Sequence, residues 1–301
     1  MESASFDVKL AGPLDIPASV ERFRSAGDDG LDRWDGTHLI RTMRTGTRAV
    51  PYVCAVAGTV GRPALRVTVA EPAHGTEIQC ALRASFVTAP PDFKELLRTD
   101  PVIARLDAQF RGVRPVLHFD LLAALVRCIS AQQVNLRWAA ITRRRLAEAF
   151  GDRHVIDGHE VYSLSAQRLA AASVAEIRAL QFTTRKAQYI IGIAQAIAAG
   201  RLKMAELAEL PDEEIISRLI TLRGIGLWTA EWILARTLGR PRVVAGDLGV
   251  RKAVGLAYLN SAAPSEQEVR RAIAHWGASA SVAQTLLLHA LHENRLNPPA
   301  A

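Results

Sequence analysis

The stretch LRGIGLWTAEWILARTLGRPRVVAGDLGVRK, residues 222–252, decides the fold. Gly224 and Gly226 lie between two segments of helical apolar periodicity, and their lack of a Cβ permits a tight turn. This pattern predicts a hairpin of two helices. The N–H groups at Gly224, Gly226 and Thr229 are then expected to point outward at the positive end of the second helix, which favours a phosphate. A plain structural turn is the alternative for a lone GxG.

Basic residues are concentrated in the same stretch. It holds six Lys and Arg against two acids, a local charge of +4, whereas the whole chain has 37 basic and 30 acidic residues and a net charge of +7. The sequence pI is about 9.8. This excess favours an anionic partner and by itself leaves nucleic acid and acidic membrane surfaces open. The six residues are Arg223, Arg236, Arg240, Arg242, Arg251 and Lys252.

Two tryptophans and one aspartate complete the pattern. Trp228 and Trp232 are four residues apart, so both rings lie on one face of the second helix, where they can stack on a planar base or belong to the core. Asp247 follows Gly246 and precedes a predicted helix, which makes it a candidate N-cap. A carboxylate there is held ionised by the helix dipole and backbone donors, and is suited to stabilise a cation formed during a reaction.

The chain divides into two parts, 1–89 and 90–301. Alternating or β-branched runs at 38–50, 51–58, 63–71 and 76–86 predict strands, and 17–27 predicts a short helix. After Pro90 and Pro91 the helical period continues to the end, with Asp92 and Asp120 as expected caps. The predicted fold class is α+β, mostly α: a small N-terminal domain with an antiparallel sheet precedes an all-helical domain.

Composition excludes several classes of protein. With 49% hydrophobic and 22% charged residues among 301, the chain is expected to fold, and charges interrupt every apolar run before the length of a membrane span. The N-terminus lacks a secretory pattern, so a cytoplasmic location is expected, at the nucleoid if the source is bacterial. Three cysteines are too few for a four-cysteine zinc or iron–sulfur site, and their odd number and wide spacing favour reduced thiols.

Other candidate motifs are weaker. His289, His292 and Glu293 share a helical face but have no evident third metal ligand. The run of three arginines at 143–145 is typical of a solvated face, with DNA contact as the alternative.

The run L-x-G-I-G-x-W-T-A at 222–230, followed by a helix-opening Asp, resembles the helix–hairpin–helix DNA glycosylase superfamily, and within it the 3-methyladenine DNA glycosylase II branch. FRGVRPVLHFDLLAALVRCISAQQVNLRWAA at 110–140 resembles the family's first core helices, and LQFTTRKAQYIIGIAQAIAAG at 180–200 its Arg-Lys-Ala helix. The resemblance covers about 92–276. It implies two helical subdomains with the active-site cleft between them, a monomer, and double-stranded DNA with damaged bases as partner.

The same resemblance implies a reaction and a set of residues. Family members extrude a damaged nucleotide and hydrolyse its N-glycosidic bond, with Asp247 as the catalytic carboxylate. Trp228, Trp232 and Leu288 are the implied base pocket. No cofactor is required, and main-chain carbonyls of Ile220, Leu222 and Ile225 are implied ligands of a structural Na⁺ or K⁺. The implied DNA contacts are Gln132, Gln133 as the wedge into the base stack, Arg223, Gly224, Gly226 and Thr229.

Trp228 stands where the strand-nicking branch of the superfamily has a Schiff-base lysine, which predicts a monofunctional enzyme without lyase activity. The last helix departs from the family pattern, with Leu288 and His289 near the position of a stacking Trp, so the pocket is expected to be less aromatic. An 8-oxoguanine-type glycosylase and a DNA-binding protein without catalysis remain the alternatives.

Overall fold

A five-stranded antiparallel sheet forms the N-terminal part of the computed structural model, which describes residues 3–46 and 48–296. The strand order is β1-β5-β4-β3-β2. Leu39, Cys54 and Val67 are paired across three neighbouring strands and are fully buried on the same face. The strands are β1 (Ala4–Lys9), β2 (Arg33–Trp34), β3 (His38–Thr45), β4 (Arg48–Thr59) and β5 (Arg62–Val69).

Three short helices cover the buried face of this sheet. They are α1 (Ile16–Val20), α2 (Arg22–Ser25) and α3 (Gly75–Ser85). The prediction of a strand over 76–86 is wrong, since these residues form α3. Ile78 and Leu82, four residues apart, are both fully buried, so the apolar side chains follow the helical period rather than an alternation.

Thirteen further α-helices follow in the described part of the chain. Asp120 caps α6 as predicted, whereas the side chain of Asp92 makes no capping hydrogen bond. None of the described helices is both long and apolar enough to cross a membrane. The helices are α4 (Phe93–Thr99), α5 (Pro101–Gln109), α6 (Leu121–Ala131), α7 (Leu136–Phe150), α8 (Ala166–Ala171), α9 (Val174–Ala179), α10 (Thr184–Ala198), α11 (Met204–Ala208), α12 (Asp212–Ile220), α13 (Leu227–Arg236), α14 (Leu248–Val254), α15 (Glu266–Ala272) and α16 (Ala280–His292).

The prediction of an all-helical second part is wrong at one place. Strands β6 (Gly151–Ile156) and β7 (His159–Leu164) form an antiparallel hairpin between α7 and α8. Asp157 and Gly158 at its turn have φ of +48° and +76°. An Asp-Gly pair between β-branched residues is a strong hairpin signal, because a type I′ turn needs positive φ at both positions.

The helices pack around two separate apolar cores. Helices α6 to α13 surround the first core, and α4, α5 and α14 to α16 surround the second. The segment between α13 and α14 crosses from one core to the other, and it ends at Asp247. The described helices thus fall into two groups, each around its own core, and Asp247 ends the segment that connects them.

Candidate active site

The hairpin between α12 and α13 has the predicted form. Gly224 has φ of +87°, and a Cβ built there would lie 2.2 Å from Cδ2 of the Tyr189 ring. Only glycine fits this position, since any side chain would be strained and would collide with Tyr189. The N–H of Ile225 donates to the Leu222 carbonyl at 3.1 Å, which closes the turn.

The N-terminus of α13 is open to an anion. Gly226 is exposed and has no side chain to cap this ten-residue helix. The first N–H groups of a helix have no intrahelical acceptor, so they remain available to a phosphate. Thr229 is only 1% exposed, so its side chain does not face solvent. Arg223 lies beside this turn and is exposed.

Asp247 is half-buried and is held by neutral donors only. Its Oδ1 accepts the N–H groups of Gly249 at 2.9 Å and Val250 at 3.1 Å, as expected for an N-cap. Its Oδ2 accepts the indole N–H of Trp228 at 3.1 Å. Within the described residues Asp247 forms no ion pair with Lys, Arg or His. The carboxylate is therefore held in position by neutral groups, and no cationic side chain in the described part of the chain is bound to it.

The two predicted pocket tryptophans have different surroundings. Trp228 contacts Asp247, whereas Trp232 stacks on His118 with ring centroids 5.3 Å apart and packs against the first core. Leu288 from α16 approaches the same place. A Cβ built on Gly249 would lie 3.1 Å from Asp247 Oδ1 and 3.3 Å from Leu288 Cδ2, so Trp228 and Leu288 both border the carboxylate.

The turn after α6 is attached to the hairpin. Gln132 is half-buried and donates from Nε2 to the Gly224 carbonyl at 2.9 Å, while Lys186 Nζ donates to the Gln132 and Ser130 carbonyls at 2.7 and 2.9 Å. Gln133 is exposed and has φ of +56°. The predicted wedge residue therefore projects from a fixed turn, and Gln132 positions that turn rather than facing solvent.

The basic cluster near the hairpin is only partly free. Arg236 is buried and donates to Thr285 at 3.1 Å, and Arg242 pairs with Glu213 at 3.1 Å. Arg240 and Arg251 donate to main-chain carbonyls at 2.8 and 2.7 Å. Most of these six side chains therefore satisfy local acceptors rather than facing one common anion-binding surface.

A buried ionic cluster lies next to the tryptophans, and sequence reasoning missed it. Asp32 pairs with Arg41 at 2.6 Å and His118 at 2.7 Å, and both Asp29 and Asp32 pair with Arg127. Asp29 also pairs with Arg143 at 2.8 Å. Arg143 is 3% exposed, so the expectation of a solvated arginine run is wrong at this residue. We call Asp29, Asp32, Arg41, His118, Arg127 and Arg143 the junction cluster.

Burial and neighbouring charges shift the pKa values of Asp32 and His118 in the junction cluster. Burial raises the pKa of Asp32, but Arg41, His118 and Arg127 outweigh burial and hold that pKa well below its usual range. Burial lowers the pKa of His118 to about 4 in spite of the Asp32 charge. The imidazole stacked on Trp232 is therefore neutral at physiological pH.

Two arginines that sequence reasoning did not place in the site influence Asp247. Arg22 on α2 is exposed and forms no ion pair within the described residues, while its neighbour Phe23 packs edge-on against His118 at 5.4 Å. Loss of hydration beside the packed protein lowers the pKa of Arg22, and the charge of Arg127 lowers it as well. The charge of Asp247 has the opposite effect. The pKa of Arg236 is lowered to about 9, mainly by burial and also by the charge of Arg22, while the charge of Asp247 acts in the opposite direction. The charges of Arg22 and Arg236 thus interact with that of Asp247, although neither side chain forms an ion pair with it.

This combination of hairpin, capped aspartate and tryptophan can be compared with known proteins. Residues 126–279 match the HhH-GPD superfamily of base excision DNA repair proteins. The chain belongs to this superfamily. The match includes the hairpin, both tryptophans and Asp247.

Individual proteins are similar to this chain as well. A putative DNA-3-methyladenine glycosylase of Bacillus subtilis is 36% identical over 48% of this chain and 49% of its own length. A second DNA-3-methyladenine glycosylase of that organism is 29% identical over 66% of this chain and 67% of its own length. The chain thus spans about half to two thirds of these relatives. The solved 3-methyladenine DNA glycosylase of Archaeoglobus fulgidus is 22% identical, with a TM-score of 0.83 over 97% of this chain and 99% of its own, and shares the fold.

Proposed function

We propose that this protein is a monofunctional DNA glycosylase that removes alkylated bases from double-stranded DNA and leaves an abasic site. The observation that carries the proposal is Asp247, whose carboxylate is fixed by two backbone N–H groups and the Trp228 indole and has no cation bound to it. The names of the Bacillus subtilis relatives support the same reaction.

The first step of the proposed reaction is binding to DNA. The open N–H groups at the start of α13, with Arg223 beside them, bind a backbone phosphate. Gln133, on its fixed turn, fills the gap in the base stack when the damaged nucleotide is extruded. Both groups lie on the hairpin or on the turn bonded to it, so they act together.

Cleavage of the N-glycosidic bond leaves positive charge on the sugar. Asp247 stabilises this charge because its oxygen atoms are preorganised and its negative charge is not neutralised by an ion pair. The base departs with the electron pair of the broken bond, and water adds to the sugar and releases a proton to the solvent. Trp228 has no amine with which to form a Schiff base, so the abasic strand stays intact.

The hairpin carbonyls have the donor chemistry of a monovalent cation site. Ile220, Leu222 and Ile225 supply neutral, hard oxygen atoms, and the Ile225-to-Leu222 hydrogen bond brings this turn together. A Na⁺ or K⁺ held by these carbonyls would add positive charge beside the N-terminus of α13 and so favour a phosphate there. Its role would be in DNA binding rather than in bond cleavage.

A set of lesion-containing duplexes tests the function. Each duplex holds a single 3-methyladenine, hypoxanthine, 1-methyladenine or 8-oxoguanine, and base release is scored with and without alkali. Release of alkylated bases with strand breakage only after alkali supports the proposal. Spontaneous nicking at 8-oxoguanine supports an 8-oxoguanine-type enzyme, and binding without release supports a purely DNA-binding protein.

A further inference from the structure

Two side chains that are close in sequence meet a third from a distant part of the chain at the edge of the N-terminal sheet. Asp35 lies in the turn between β2 and β3, His38 is the first residue of β3, and His159 is the first residue of β7. Their potential ligand atoms all lie within 4.8 Å of one another. The glycosylase reaction uses none of these residues.

The distances among these side chains suit a metal ion. Asp35 Oδ2 is 3.3 Å from His38 Nδ1 and 3.7 Å from His159 Nδ1. Ligands bound at about 2.0–2.2 Å in a tetrahedral zinc site lie roughly 3.4 Å apart. The two imidazole centroids are 4.7 Å apart, so small rotations of the rings bring both nitrogen atoms to an ion beside Asp35.

The carboxylate is already oriented for this role. Asp35 Oδ1 accepts the N–H groups of Thr37 and His38, both at 2.7 Å, which leaves Oδ2 directed at the imidazoles. Hydrogen bonds of this kind, from the backbone to the carboxylate, are typical of carboxylates that bind metal ions. The side chains of His38 and His159 are 32% and 26% exposed, which allows an ion to enter.

We propose that Asp35, His38 and His159 bind a divalent transition-metal ion such as Zn²⁺, with water completing the coordination. Two imidazoles and one carboxylate are donors that suit zinc. The ion fastens the β6–β7 hairpin to the N-terminal sheet. The apolar contact there is a small buried cluster of Ile40, Val53, Ile156 and Val161. Coordination by Asp35 and His38 on the sheet side and by His159 on the hairpin side therefore strengthens a limited interface.

Calorimetric titration of the full chain with Zn²⁺, after chelator treatment, tests the proposal. We expect one Zn²⁺ site in the wild type. Zn²⁺ affinity should fall in His38→Gln and His159→Gln, and by more than the roughly 10- to 100-fold that loss of a hydrogen-bond partner of a metal ligand costs, because a ligand itself is lost. His74→Gln is the matched control, because His74 lies beside Glu71 and Glu77 but has no second imidazole. Its affinity is expected to equal that of the wild type. Absence of binding to the wild type, or equal binding by His159→Gln, would overturn the proposal.

Thermal unfolding gives a second readout that does not depend on glycosylase activity. Binding to the folded state alone raises the Tm with increasing Zn²⁺, and this rise should disappear in His159→Gln and persist in His74→Gln. Circular dichroism of each variant without metal establishes that it is folded. If Zn²⁺ raised the Tm equally in the wild type and in His159→Gln, the ion would be bound by other residues and the proposed site would be wrong.

Discussion

Two aspartates on either side of the tryptophan pair use their charge in opposite ways. Asp247 is held by two backbone N–H groups and an indole, and forms no ion pair in the part of the chain that the structure describes. Asp32 pairs with the guanidinium groups of Arg41 and Arg127, and the neutral His118 ring is hydrogen-bonded to it as well. Neutral donors orient a carboxylate and leave its charge available to a substrate, whereas bound cations neutralise it and convert it into a structural group.

The largest expected effect comes from Asp32→Asn. This change leaves buried cations without their counter-ion, and breaking a buried ion pair costs about 3–5 kcal/mol of unfolding free energy. Urea unfolding measures the loss. Asp7→Asn, which disrupts an exposed pair with Arg66, is the control and should leave stability nearly unchanged. Equal losses in the two variants would refute the structural role of Asp32.

The next effect is on catalysis and comes from Asp247→Asn. The amide is close to isosteric but lacks the charge, and loss of one preorganised electrostatic group costs about 100- to 1,000-fold in rate. Single-turnover release of a methylated base measures the rate, and affinity for an abasic-site duplex is expected to survive. Excision at near wild-type rate would end the assignment of Asp247.

The third effect is a pH dependence of stability that originates at His118. Its pKa is about 4 in the folded protein, whereas it is about 6.5 in the unfolded chain, so below pH 6.5 the unfolded chain binds the additional proton. Stability should therefore fall from pH 6.5 toward pH 4, by about 3 kcal/mol from this group. Asp32 stays ionised throughout this range. His118→Gln should have a flatter profile than the wild type, and parallel profiles would contradict the prediction.

The smallest effect concerns lesion preference and comes from Arg22→Gln. Positive charge near Asp247 disfavours a cationic base such as 7-methylguanine relative to neutral hypoxanthine, by about 1 kcal/mol for a solvent-screened charge, or roughly fivefold. Removing that charge should lower the hypoxanthine to 7-methylguanine excision ratio by this factor. Arg24→Gln, whose guanidinium pairs with Glu21 at 2.9 Å, is the matched control and should leave the ratio unchanged.

The regions that sequence predicted well are contiguous. The hairpin, the cap at Asp247 and the tryptophan spacing each depend on residues a few positions apart, so local backbone preferences reveal them. The Asp157-Gly158 turn carried a similar local signal, which the helical period on both sides obscured. The apolar residues of 76–86 fit an alternation as well as one face of a helix, so their pattern alone predicts a strand where the structure has α3.

The junction cluster could not be predicted in this way. Arg143 is 114 residues from Asp29, and His118 is 86 residues from Asp32. Nothing near Arg143 in the sequence distinguishes it from the arginines that follow it, one of which pairs with Glu148 and Glu160. Only the tertiary fold determines which of these guanidinium groups is buried and paired.

The division of the junction cluster between the two parts of the chain also limits how such a gene can be rearranged. Its aspartates and Arg41 are encoded before codon 90, and His118, Arg127 and Arg143 after it. A recombination event at that boundary would join one half to a partner that lacks the matching charges. The two coding segments are therefore expected to be inherited as a unit rather than shuffled as independent modules.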